Sequence, residues 1–223
     1  MSQRTPIDWF IYSLLWLLCW VLSQVWFRFR FSGRKNVPPT GPVLLVANHQ
    51  SFLDPVLVGI ACPRQIRALA RHELFFWPLG WLIRTLGAVP VDRQRSALGG
   101  IKASLDLLKQ GEVLLVFPEG TRTPHGQLQP LHPGFCLLAR RTGATIVPAA
   151  IEGAFRAMPR GSSFPRPTQI RLSFAEPIPT AQVAQLSDEE LVQLVMRRMS
   201  DLLGKSGKGA AICRKPNEMP RLL

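Results

Sequence analysis

No two of the four cysteines, Cys19, Cys62, Cys136 and Cys213, stand close enough to form a C-x-x-C pair. That absence argues against a cysteine zinc site and against a disulfide framework, and it fits a reducing compartment. The histidines, at positions 49, 72, 125 and 132, offer no H-E-x-x-H spacing either. Neither a metal nor a resident cofactor is therefore expected. No G-x-S-x-G occurs, so a serine nucleophile on a strand-to-helix elbow is not expected. Acidic residues are scarce: 14 Asp and Glu stand against 27 Lys and Arg, a formal charge of +13, with a pI near 11.0. Such an excess bears on partners rather than on fold, and nucleic acid, anionic lipid and acidic cofactors or carrier proteins all answer to it. Internal repeats and long low-complexity tracts are also missing.

What is present is a chain of 223 residues, 47% of them hydrophobic, which is neither disordered nor a multi-span membrane protein. The length suits one domain with extras at its ends. From Trp9 to Phe27, "WFIYSLLWLLCWVLSQVWF" carries no charge. As a helix it would be about 28 Å long, close to a bilayer core. Arg28, Arg30, Arg34 and Lys35 follow at once, so a spanning helix would leave the folded domain on the cytoplasmic side. The bulky "SQVWFRFRF" gives no small-residue cleavage site, against a removed signal peptide. Four tryptophans with Ser13, Ser23 and Gln24 equally suit a helix, or a broken helix pair, lying in the interface. Either way the basic excess would hold the chain against anionic headgroups. The expected division is a membrane-anchoring segment at 1–35, a catalytic domain at 36–203, and a basic, flexible tail at 204–223.

Beyond "NVPPTGP" the pattern alternates. "VLLVA" (43–47), "VLLVF" (113–117) and "TIVPAAI" (145–151) read as buried strands, "IRALAR" (66–71) and "AVPVD" (88–92) as further strands, and "TQIRLSF" (168–174) as an edge or half-exposed strand. Helices are predicted from about Pro55, over 96–110 with Gly111 as the stop, over 134–142, and from the capping box Ser187–Glu190 to about Leu203. The resulting fold class is α/β: a mixed, largely parallel sheet flanked by helices, preceded by the hydrophobic helix or helix pair. Polar clusters follow three of the strands: "NHQSFLD", "GAVPVDR" and "FPEGTR". In an open α/β sheet such strand exits converge on one crevice. Each cluster also has a plain meaning. Asp54 before Pro55 is the signature of a helix N-cap with proline at N1; His49 suits a turn; Arg93 and Arg122 suit solvated loops; "PEG" is a common turn. The aromatic stretch Phe75–Trp81 suits a core, or a surface dipping into lipid.

As an ordered set, His49-x4-Asp54, "GAVPVDR", "FPEGTR" and "IVPAAI" resemble the four successive blocks of the PlsC-type glycerolipid acyltransferases, from about Val43 to Ile151. The resemblance implies that His49 is a general base and Asp54 its orienting partner. Arg93, Glu119, Gly120, Thr121 and Arg122 would line the site for the acceptor's phosphate, with Pro148 architectural. Where many members carry lysine in "A-K-x-E-L" this chain has "ARHEL", so Arg71 stands in as a phosphate ligand. Before the glycine of "HPG" lysine is common, and here it is His132-Pro133. The implied reaction moves an acyl group from acyl-CoA or acyl carrier protein to lysophosphatidic acid (1-acylglycerol-3-phosphate), at the inner, cytoplasmic membrane. Both donors are acidic and suit the basic surface. Transfer is expected to be direct, without an acyl-enzyme at Ser51. A different lysolipid acceptor, such as a lyso-ornithine lipid or a lysophospholipid, is the neighbouring reading, and a non-catalytic lipid-binding protein the more distant one. Nucleic acid is disfavoured as a partner, because no reading motif is present.

Overall fold

The computed structural model describes residues 6–77, 79–91 and 97–204. Helix α1 (Pro6–Phe27) leads into a short strand β1 (Arg30–Ser32), and β2 (Val43–Ala47) opens the alternating part of the chain. There follow α2 (Asp54–Ala61), β3 (Ile66–Arg71), α3 (Leu79–Thr85), β4 (Ala88–Val91), α4 (Ala97–Lys109), β5 (Val113–Val116), α5 (Gly134–Thr142) and β6 (Thr145–Glu152). α6 (Ala154–Ala157), β7 (Arg171–Phe174), α7 (Thr180–Gln185) and α8 (Asp188–Gly204) complete the described chain.

The strands form one seven-stranded sheet in the order β1-β7-β6-β2-β5-β3-β4. From β6 to β4 all neighbours are parallel; β7 runs antiparallel to β6, and β1 parallel to β7. A parallel strand covered on both faces must be apolar throughout, and each residue of β2 is buried. Its side chains alternate between the two faces. Val43, Leu45 and Ala47 join one core with α2 and with Leu172 and Phe174 of β7. Leu44 and Val46 join the other, with apolar residues of α5 and α8. At the start of α8 the Ser187 Oγ accepts the Glu190 N–H at 3.2 Å, while Glu190 Oε2 accepts the Ser187 N–H at 2.8 Å. Two orphan donors are thereby satisfied reciprocally.

The N-terminal segment is one continuous helix of 22 residues. It docks on the sheet through a stripe at helical spacing: Trp16, Cys19 and Phe27 pack on the α2-side core, and Ser23 is buried beside them. The opposite stripe, Phe10, Leu14, Leu17, Val21 and Val25, is exposed. Phe10–Phe27 is long and apolar enough to cross a membrane by length and composition. Within the segment expected at 1–35, α1 ends at Phe27, Phe29 enters the core and Arg30–Ser32 pairs with β7. That pairing also makes β7 an inner strand, not an edge, and its residues alternate between half-buried and buried, as the half-exposed reading expects. Of the Phe75–Trp81 stretch, Phe76, Trp77 and Trp81 are exposed, so these rings are surface rather than core. The tail beyond Gly204 lies outside the described residues.

Leu44 is completely buried at the centre of the sheet, so Leu44→Ala should cost about 3 kcal/mol in a urea titration, from lost transfer energy plus the cavity left behind. Leu137→Ala, on the exposed side of α5, should stay within about 0.5 kcal/mol. Equal costs at the two positions would contradict the layering described here.

Candidate active site

β2 ends at Ala47, flanked by the ends of β5 and β6, and the loop that leaves it holds the polar residues of "NHQS". Asn48 continues the ladder by its side chain. Its Nδ2 donates to the Ile151 carbonyl at 2.9 Å and its Oδ1 accepts the Ile151 N–H at 2.7 Å. The main chain is thus free to turn while β6 stays paired. Gln50 spans to the next element: its Oε1 accepts the Phe155 N–H and its Nε2 donates to the Gly126 carbonyl, both at 3.2 Å. Ser51 Oγ donates to the Met158 carbonyl at 2.9 Å and accepts the Leu53 N–H at 3.3 Å. The hydroxyl is committed to backbone.

Asp54 decides between a cap and a proton-transfer pair. Leu53 occupies the N-cap of α2, so Asp54 is already its first residue. Its Oδ2 accepts from the upstream N–H groups of Gln50 (2.6 Å) and Ser51 (2.7 Å), and lies 2.8 Å from His49 Nδ1. The carboxyl is 0% exposed. Burial pushes its pKa up, while His49 and the N–H groups of Ser51 and Gln50 pull it back. This carboxylate therefore orients histidine instead of closing a helix. With Nδ1 donating to Asp54, Nε2 carries the lone pair. The imidazole stacks on Phe117 at 4.1 Å with 15° between planes, which fixes its remaining rotation.

Both main-chain groups of His49 are held by the turn after β5. Its N–H donates to Glu119 Oε1 at 3.3 Å, and its carbonyl accepts the Thr123 N–H at 2.8 Å. The turn itself is closed by Gly120 N–H to the Phe117 carbonyl at 3.1 Å, with φ +72 at Gly120. Pro118 and Gly120 suit the second and fourth positions of such a turn, and a positive φ favours glycine. Glu119 is buried and its Oε2 has no hydrogen-bond partner. Burial pushes its pKa up to about 8, against the N–H groups of His49 and Gln129 and with the Asp54 charge adding to the rise.

The expected site residues therefore separate. His49 and Asp54 are paired. Gly120 and Thr121 are exposed at the turn, and Arg122 follows with its guanidinium 3.7 Å over the Phe52 ring. Glu119, expected to line the phosphate site, is buried with its Oε1 accepting the His49 N–H. Arg71 ends β3, at the carboxyl end of the parallel strands that also carries His49. Arg93 lies outside the described residues. Among the described residues no group of His, Cys, Asp and Glu could hold a metal ion. Asn48, Gln50, Thr123 and Phe117 were not singled out from sequence. Asn48 and Gln50 gave one signal, a polar run directly after a buried strand.

Residues 28–152 match the model of the acyltransferase family. A 1-acyl-sn-glycerol-3-phosphate acyltransferase of Bacillus subtilis is 30% identical over 180 residues, 78% of this chain and 87% of that protein. The chain belongs to the acyltransferase family. A chloroplastic 1-acyl-sn-glycerol-3-phosphate acyltransferase of Arabidopsis thaliana is 33% identical over 61% of this chain, and one of Brassica napus 32% identical over 70%. The matches span 39% and 47% of these two plant proteins, less than half of each. The crystal structure of PlsC from Thermotoga maritima superposes with a TM-score of 0.79 at 24% identity, covering 97% of this chain and 86% of that one. It shares the fold of this acyltransferase.

Glu119 gives the site a pH signature. Its folded pKa of about 8 lies above the ordinary 4.5, so its neutral form stabilises the fold fully below about pH 4.5 and that contribution is lost as pH rises through about 8. Glu119→Gln keeps the neutral geometry and removes the titration. Denaturation midpoints from pH 6 to 9 should fall more steeply for the wild type than for the variant. Parallel curves would show that Glu119 is already ionised.

Proposed function

We propose that this acyltransferase moves a fatty acyl group from an acyl thioester to the free hydroxyl of 1-acylglycerol-3-phosphate, giving phosphatidic acid. The observation that carries this reading is the 2.8 Å contact of His49 Nδ1 with Asp54 Oδ2 at the exit of the central strand, with Nε2 left as the base. The hydroxyl proton passes to Nε2 as the oxygen attacks the thioester carbonyl. The C–S bond then breaks, and the proton leaves with the thiol. Asp54 stabilises the imidazolium formed in between. The acceptor agrees with the names of the Bacillus and plant relatives. Arg122 is the proposed first ligand for its phosphate, a task suited to a guanidinium. Acyl-CoA and acyl carrier protein both remain proposed donors. A lyso-ornithine lipid O-acyltransferase of Pseudomonas aeruginosa is also 34% identical over 61% of this chain, which makes that lipid the natural rival in an assay.

Membrane attachment through α1 is part of the proposal, with the catalytic domain on the cytoplasmic face. Because one stripe of α1 is packed on the domain and the other is apolar and exposed, a helix lying in the interface accounts for both stripes. Trp77, 86% exposed, and Phe76 extend the contact near the end of β3.

Transfer of labelled acyl groups to lysophosphatidic acid should fall at least ~10²-fold in His49→Ala, the low end for a lost general base. A folded wild type that acylates lyso-ornithine lipid or lysophosphatidylcholine instead would keep the chemistry and replace the acceptor. In vesicles, Phe76→Ser with Trp77→Ser should lower binding and esterification together while leaving the denaturation midpoint unchanged. Unaltered esterification would remove these rings from the membrane contact.

A further inference from the structure

The segment after β6 is bonded to the loop that carries His49. Gln50 accepts the Phe155 N–H, and Ser51 donates to the Met158 carbonyl. Gly153 makes the turn into this segment with φ +90, and a Cβ there would meet the Gln169 carbonyl oxygen at 2.2 Å, so the backbone path is tightly constrained. Two residues past Met158, whose carbonyl is bonded to that loop, stands Arg160, exposed.

Arg122 approaches from the other side, over Phe52 of that loop. The two charges are near enough to act on each other: burial and Arg160 both lower the pKa of Arg122, and Asp54 opposes them. Among the described residues neither arginine has a carboxylate within ion-pair distance. Asp54, the acid that favours Arg122, is committed to His49 and two N–H groups. Two guanidiniums without a carboxylate partner among the described residues repel each other, and a multiply charged anion between them would relieve that repulsion. A phosphate monoester carries about −1.5 to −2 at pH 7 and three acceptor oxygens, enough for two arginine forks. A phosphodiester or a carboxylate, with a single charge, matches one.

We propose that Arg160 is the second arm of a phosphate-monoester clamp whose first arm is Arg122. The proposal rests on the acyl-transfer reading of His49 and Asp54, which places an anionic substrate at this loop. Phosphate monoesters occur in two substrates of that reaction, the headgroup of lysophosphatidic acid and the 3′-phosphate of coenzyme A. The loop bearing Arg160 is tied to the apolar helix, since Trp26 Nε1 donates to the Pro165 carbonyl at 3.2 Å, and it exposes Phe164 alongside. A headgroup whose chain stays in lipid would meet the clamp at that border, so the acceptor is the expected source.

Calorimetry on the full chain in detergent separates the outcomes. Arg160→Gln should weaken lysophosphatidic acid binding about tenfold, the loss of one charge-assisted contact, and leave monoacylglycerol binding unchanged. Arg160→Lys should recover part of the loss. Titrating coenzyme A against 3′-dephospho-coenzyme A tests the second source. If Arg160→Gln abolishes a preference for the 3′-phosphate and spares lysophosphatidic acid, the clamp holds the donor. Unchanged affinity for both monoesters, or an equal loss for monoacylglycerol, overturns it. These readouts do not require turnover. A wild type that binds lysophosphatidic acid without acylating it would sink the proposed activity while the clamp stands.

Discussion

A carboxylate with no solvent must find its hydrogen bonds within the fold, and the site of this protein is organised around that requirement at Asp54. One oxygen gathers three nitrogens: the imidazole of His49 and the main-chain N–H groups of Gln50 and Ser51. Satisfying it obliges the chain to fold back on itself directly after β2. Burial raises the pKa of this group, and those three donors pull it back. The shape of the loop and the electrostatics of the histidine are therefore one constraint seen from two sides.

The sheet supplies the rigidity that this constraint needs. β2 is central and apolar on both faces, so its end is held from either side. β5 contributes the turn that binds both main-chain groups of His49, and β6 contributes Ile151 to the Asn48 amide. Order in the site follows from placing His49 two positions beyond the end of β2, in a loop bonded to both neighbouring strand exits. On the β6 side the amides of Asn48 and Gln50 do the joining, since they offer donor and acceptor together and carry no charge.

Much of this was legible before any coordinate. "VLLVA", "VLLVF" and "TIVPAAI" are unbroken apolar runs of strand length, a pattern that a two-sided parallel sheet imposes on sequence, and Ser187-x-x-Glu190 marks its own helix. β1 was not legible: "RFS" sits within basic residues that read as the flank of a membrane helix, and its partner β7 lies at the far end of the chain. α6 and α7 are too short for periodicity to show. In the site, the His49–Asp54 spacing alone read as a helix cap, and only its order with "GAVPVDR", "FPEGTR" and "IVPAAI" pointed to a pair. The work of Thr123 was not legible, because it is done by a backbone N–H common to all residues but proline. The bond from His49 to Glu119 was hidden for a related reason. A motif places a residue in a site without saying whether it faces the substrate or the residue behind it.

The stripe of α1 that packs beneath the sheet also governs how the molecule can be divided. Trp16, Cys19, Ser23 and Phe27 stop one of its two cores, and the chain then runs without a spacer through Phe29 into a strand. The apolar helix and the scaffold thus share an interior. A truncation intended to release a soluble catalytic fragment would unroof the α2 face of the sheet and leave β1 without its lead-in. The fragment would trade one apolar surface for another.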